Sequence, residues 1–250
     1  MIQNQDSAPQ KGALSRIAAV LALASLGGCC IGDNHPGGML YLRGGVGATQ
    51  YEVDGGVDLD TDSYNAEFAV EGQGRVVGGG VRVSAFKSDD ELAGPSSDTE
   101  LLSTSLFPHL TFRPGAGIFR LPIRIGPEVR WHQLDSSGTD VDSYAVGGAV
   151  EVAPELDLFR TQRAALSLYG RGHAGAAVAA VSTPLDDYGT TATLLGAEAG
   201  VRLQLSKFLL AAGYVWQSTI YDETDPENNI TLPETTYTND GIFLSVGVRF

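Results

Sequence analysis

The sequence predicts an all-β chain: an antiparallel up-and-down barrel of ten strands that crosses a membrane. Three observations predict it. Stretches of alternating residues recur from Met39 to the end, far longer than the five or six residues usual in soluble sheets. The connections between them fall into two kinds by length and charge. Arg and Glu in the middles of the stretches keep to one face, opposite a continuous apolar face.

The alternating stretches are 39–51, 62–72, 75–88, 99–113, 118–133, 140–153, 163–181, 191–205, 208–221 and 238–250. A tilted strand needs roughly 9–11 residues to cross a bilayer, and each stretch supplies that many. An eight-stranded barrel is the alternative, with 62–72 and one other stretch assigned to loops. Connections after the odd-numbered strands are acidic and mostly long: DGGVDLDTD, SDDELAGPSSD, LDSSGTD, STPLDDYGT and DETDPENNITLPETTYTN. Those after the even-numbered strands are mostly short, namely GQG, RPGAG and SK, with ELDLFRTQR the long exception. Membrane barrels show this asymmetry, with long loops on the outer side and tight turns on the periplasmic side.

The faces follow from a period of two. In GIFLSVGVRF, Ile242, Leu244, Val246, Val248 and Phe250 share the apolar face. In FRLPIRIGPEVRW that face carries Phe119, Leu121, Ile123, Ile125, Val129 and Trp131. The opposite face collects the charges expected to line the lumen: Arg43, Glu67, Arg82, Arg120, Arg124, Glu128, Arg130, Glu151, Arg171, Glu198, Arg202 and Arg249. A lipid-facing Arg at mid-bilayer costs roughly 2–4 kcal/mol, so their shared phase is informative. Aromatics gather at the ends of the apolar face: Phe112, Phe119, Phe208 and Phe250 at one end, and Tyr64, Trp131, Tyr144, Tyr214 and Trp216 at the other. Rings with an apolar body favour the two bilayer interfaces. Pro108, Pro122 and Pro127 oppose the barrel, because a closed sheet has no edge on which to hide a missing donor. Bulges at these points, or strand portions outside the hydrocarbon, would accommodate them.

The first residues read as an export signal over 1–28, followed by a short linker over 29–38 and the barrel over 39–250. Lys11 and Arg16 precede the run IAAVLALASLGG, too short to span as a helix. Ala22-Leu23-Ala24 satisfies a small-x-small cleavage rule, and Leu26-Gly27-Gly28-Cys29 resembles a lipobox with Cys29 as the lipidated residue. The only cysteines, Cys29 and Cys30, are adjacent and cannot staple the remaining chain to itself.

A formal charge of −14 argues against nucleic acid as partner, since its binding needs clustered Lys and Arg. Gly170, Gly172 and Gly175 have the G-x-G-x-x-G spacing of a dinucleotide site, with Asp186 and Asp187 beyond. No stretch has the amphipathic period of the helices such a fold requires, so a strand of small residues is expected and no nucleotide. His35, His109, His132 and His173 have no metal-ligand spacing, and no cofactor is expected. His132 is expected at the outer rim near Asp135, Asp140 and Asp142, a setting in which a hydrolase is conceivable. The inward charges admit two readings: a polar pore for small solutes, or a lumen plugged by its own ion pairs.

The export signal, the alternating strands and the terminal GIFLSVGVRF together resemble the small outer-membrane β-barrels of diderm bacteria, of OmpA/OmpX-like or omptin size. The likeness covers about residues 39–250 and is architectural. It implies an outer-membrane location, contact with outer-membrane lipids and lipopolysaccharide, and a structural or surface-interaction role. A narrow porin-like channel and a rim hydrolase (protease or lipid-modifying) are the alternatives. It also implies that Phe250 is an address read by the barrel-insertion machinery. Deleting Phe250 is expected to lower the amount of folded protein in the outer membrane more than it lowers urea stability of the refolded barrel; normal assembly of the deletion would remove the address reading.

Overall fold

The computed structural model describes residues 37–56, 58–73, 76–88, 100–114, 117–136, 139–184, 186–224 and 231–250. The export segment 1–28, Cys29, His35 and nearly all of the linker lie outside the described residues. The chain forms β1 (Gly37–Val53), β2 (Asp58–Gln73), β3 (Val77–Ser88), β4 (Glu100–Phe112), β5 (Phe119–Arg120) and β6 (Ile123–Ser136). It continues as β7 (Thr139–Val152), β8 (Glu155–Arg160), β9 (Ala164–Ser182), β10 (Asp187–Leu205), β11 (Phe208–Tyr221) and β12 (Thr235–Arg249).

These make ten staves. β5 and β6 form one, interrupted at Leu121-Pro122, and β7 and β8 form another, interrupted at Ala153-Pro154. The breaks face each other, and hydrogen bonds carry the register across them: Ala153 N–H donates to the Pro122 carbonyl at 2.8 Å and Gly170 N–H to Pro154 at 2.9 Å. Every pairing is antiparallel, and β12 pairs with β1, so the sheet closes on itself. The eight-stranded alternative is thereby excluded.

The register fixes the barrel's size. Starting at Gly38, cross-strand partners run Gly72, Gly79, Leu110, Ile125, Val150, Ala174, Leu195, Ser218 and Thr238, and return to β1 at Gln50. A shear of twelve residues over ten staves gives a strand tilt of about 40° and a backbone radius of about 10 Å.

The prolines find a common solution. Pro108 on β4 and Pro127 on β6 stand opposite each other, in a gap of the ladder between Leu106↔Val129 and Leu110↔Ile125. Two missing donors therefore disrupt a single place in the ladder. Gly126 beside the gap has no room for a side chain: a Cβ there would lie 1.9 Å from the Pro108 carbonyl oxygen.

The faces are inverted relative to a soluble protein. Leu244 is 71% exposed and Ile242, Val246 and Phe250 also stand on the outer wall, while Phe243 and Ser245 between them are buried inside. Val46, Ile125, Val146, Val178 and Leu210 repeat the outward pattern on other staves. From Ile242 to Phe250 the apolar row runs about 27 Å along the strand and about 20 Å along the barrel axis. That approaches the roughly 25 Å band of membrane barrels, before the girdle rings are counted.

Toward the loop end the wall changes character. On β2 the outward residues are Asp58, Asp60 and Asp62, then Tyr64 and Phe68. On β7 they are Asp140 and Asp142, then Tyr144 and Val146, and on β12 Thr236, Thr238 and Asp240, then Ile242. Staves thus extend beyond the apolar belt with an acidic exterior. This corrects the expected connections: DLDTD, most of LDSSGTD, the segment at 187–190 and residues 235–239 belong to β2, to β6 and β7, to β10 and to β12, not to loops. ELDLFRTQR is likewise no long connection, because residues 155–160 are β8 and the turn is 161–163. Leu244→Arg is expected to destabilise the barrel by roughly 2–4 kcal/mol in urea titrations in phospholipid vesicles. A cost near zero would mean that this wall does not face hydrocarbon.

Candidate functional site

The candidate site is the lumen, and alternation places its residues. Inward positions are odd-numbered on β1, β2, β4, β7, β9, β11 and β12 and even-numbered on β3, β6 and β10, so every second side chain points into the lumen. A backbone radius near 10 Å exceeds what small side chains fill, and this chain uses Arg, Glu, Tyr, His and Phe there.

Ion pairs span the barrel as struts. Arg43 on β1 donates two hydrogen bonds to Glu198 on β10, at 2.7 and 3.0 Å, and one to Glu67 at 3.4 Å. Arg171 also meets Glu198, at 2.5 Å. Arg82 on β3 reaches Glu151 on β7 at 2.6 Å. Arg124 on β6 bridges Glu151 at 2.6 Å and Glu71 on β2 at 2.9 Å. None of these strut pairs except Arg43–Glu67, Arg124–Glu151 and Arg171–Glu198 joins neighbouring staves. Glu151 is 0% exposed and has three guanidinium partners, at 2.6, 2.6 and 3.9 Å. Full burial of a carboxylate is tolerable only with such compensation.

A second layer flanks this core. Glu128 takes Arg130 Nε at 2.9 Å and the His173 ring at 2.5 Å. Arg130 spends its other donors on Thr219 Oγ1 and on the Ser218 and Leu195 carbonyls. The Arg43 guanidinium lies 3.7 Å from the Phe243 ring centre, and Arg82 covers Phe107 at 5.2 Å. Nearer the turn end, Arg120 binds Asp157 at 2.5 Å and Glu155 at 3.2 Å, and Glu155 also takes Arg202 at 3.2 Å. Arg249, the last residue of β12, is exposed at that rim.

Toward the loop end an apolar cluster joins the filling, among buried Thr49, His132, Ser143 and Asn239. Leu101, Leu134, Ala145, Ala192, Leu194, Tyr221 and Tyr237 form one buried cluster inside the barrel. Tyr51 and Tyr237 pack at 4.9 Å, and Tyr237 stacks on His132 at 4.3 Å. The spaces left among the charged side chains measure about 30, 20 and 20 Å³, room for a water molecule or two in each.

His132 is not a rim residue. It is 1% exposed and shares a hydrogen bond of 3.1 Å with Thr219 Oγ1. Asp135, Asp140 and Asp142 have the outward phase, so the sheet itself separates them from the imidazole; Asp142 instead accepts from Trp131 Nε1 at 3.3 Å. Parity along β6 and β7 was sufficient to show this from sequence. Gly170, Gly172 and Gly175 lie within β9, in extended strand rather than in a phosphate loop. No group of three or more His, Cys, Asp or Glu among the described residues is arranged to hold a metal ion.

Sequence reasoning passed over Glu71, Glu155 and Asp157 and the aromatic filling. Glu71 stands four residues after Glu67 on the same face and was open to detection. Glu155 and Asp157 were hidden by assignment to a loop. The aromatic cluster requires knowing how far the staves rise above the belt.

No family model matches the chain, and no curated protein matches its sequence. Solved structures do match in shape. The outer membrane protease OmpT of Escherichia coli superposes with a TM-score of 0.52 over 88% of this chain and 99% of that one, at 9% identity. The translocator domain of autotransporter NalP from Neisseria meningitidis gives a TM-score of 0.41 over 96% and 97%, at 14% identity. Neisserial surface protein A gives 0.37 over 84% and 97%, at 13% identity. At 9% identity the likeness to OmpT is one of fold, and no protease residue carries over with it.

Glu151→Ala leaves buried guanidiniums without their shared carboxylate and is expected to cost about 3–5 kcal/mol, read by urea unfolding in vesicles. A loss below about 1 kcal/mol would show that water enters and screens the network. The chain forms a closed, ten-stranded antiparallel β-barrel with the fold of small outer-membrane barrels.

Proposed function

We propose that the protein has a structural or surface-interaction role in the outer membrane and does not conduct solutes. The observation that carries this reading is the set of cross-lumen ion pairs, among whose side chains three spaces of about 30, 20 and 20 Å³ are described. A permeating ion would have to displace guanidinium–carboxylate pairs at 2.5–2.9 Å that satisfy one another. The aromatic and aliphatic cluster above them adds a further buried layer.

Two further features support an outward-facing role. The longer connections share one end of the barrel, and the staves there carry an acidic outer surface on an extension clear of the belt. The turn end closes with short connections at 161–163 and 206–207. Phe250 sits 68% exposed at that end, its backbone paired with Gly38 at 3.0 and 2.6 Å. That position suits both a periplasmic girdle residue and an address for insertion.

Purified protein in planar bilayers is expected to show no stepwise currents at moderate voltage. Regular single-channel steps would replace this reading with a narrow channel. A hydrolase reading is tested separately: activity of the membrane fraction that is unchanged in His132→Ala removes it.

A further inference from the structure

The outer wall carries a trough that the closed lumen does not explain. Its floor is made by Val46 and Ala48 on β1 and Ile242 on β12, over the backbone of Gly47 and Gly241. Tyr64 on β2 and Tyr214 on β11 form the side walls, and the volume is about 570 Å³. Two rows of the register build it: Tyr64, Val46, Ile242 and Tyr214 in one, and Asp62, Ala48, Asp240 and Trp216 in the next toward the loop end.

Asp62 and Asp240 therefore overhang an apolar trough from both sides of a single alanine, about 10 Å apart across two strand spacings. Asp240 accepts from the Tyr214 hydroxyl, and from Ala48 N–H at 3.3 Å. Both donors are neutral and leave its charge in place. The neighbouring cation in the register, Lys87 beside Tyr64, is engaged with Glu100 at 2.9 Å. The wall thus joins a hydrocarbon-facing groove to two carboxylates at the level where the belt ends.

We propose that this trough binds an amphiphile with an ammonium head and an alkyl tail, the head between Asp62 and Asp240 and the tail over Val46 and Ile242. Charge selects this occupant. A phosphate head would meet two carboxylates, and a second copy docked by the same face would bring four together. The volume is that of a small-ligand site rather than a surface for a protein segment. The proposal depends on the wall facing lipid and is independent of whether the lumen conducts.

Trp216 stands beside Asp240 and is one of only two tryptophans. Trp131→Phe, which retains a ring to stack on Tyr144, makes Trp216 the sole reporter. In phosphatidylcholine vesicles this full-length variant is titrated with an alkyltrimethylammonium bearing a nitroxide on its chain. The same nitroxide chain with a phosphocholine or a sulfate head serves as comparison. Saturable quenching is expected with the ammonium probe, at several-fold lower mole fraction than with the others. Adding Asp62→Asn and Asp240→Asn is expected to raise its half-quenching concentration by about five-fold or more. Both positions lie on the outer wall, so the barrel's circular dichroism is expected to be unchanged. Equal quenching by all three heads would mean that only general lipid contact occurs, and would overturn the proposal. So would an ammonium preference that survives both substitutions.

Discussion

Everything in this structure depends on one constraint: hydrocarbon offers no partner for a backbone N–H or C=O. The closed ladder is the response, with β12 hydrogen-bonded to β1 and no free edge. Even the irregularities obey it. The two missing proline donors at Pro108 and Pro127 are placed opposite each other, so that one gap serves for both. The interruptions at Pro122 and Pro154 keep their carbonyls occupied by Ala153 and Gly170.

Closure then creates a second problem inside. A barrel of ten staves and this shear is too wide for small side chains to fill, yet an empty apolar channel would be poorly packed and a wet one would leak. Long ionic side chains meeting across the axis solve this with few residues. Their net energy is modest, because each charge loses its hydration, but removal of any one partner is expensive. Glu151, at the centre of several arginines, concentrates that dependence. The network therefore acts more through specificity of filling than through added stability.

Above the belt the solvent changes and the rule reverses. Water satisfies polar groups outside, so acids occupy the outer wall while Leu101, Leu134, Tyr221 and Tyr237 turn inward as a small conventional core. One continuous strand such as β12 thus carries two opposite patterns, joined between Asp240 and Ile242. The junction also places carboxylates beside an apolar groove, which is where the wall acquires chemical selectivity.

The sequence by itself determined that alternating strands cross a bilayer and on which face the mid-strand charges lie, while the count of ten rather than eight waited for β12 to pair with β1. Period-two alternation is a local property, and a lipid-facing arginine is costly enough to leave a clear record. It also contained the phase that separates His132 from Asp140 and Asp142, although proximity in sequence obscured it. What only the tertiary structure decided is non-local. Which charges meet across the lumen depends on shear and radius, quantities summed over all ten pairings. The strand assignment of β8 rests on its pairing with β9 and β5, because its own residues mix charge with apolar side chains in no clear order. The acidic stave ends read as loops because a hydropathy pattern interpreted against hydrocarbon inverts in water. Local chemistry sets the pattern, and closure of the sheet sets which parts of it meet.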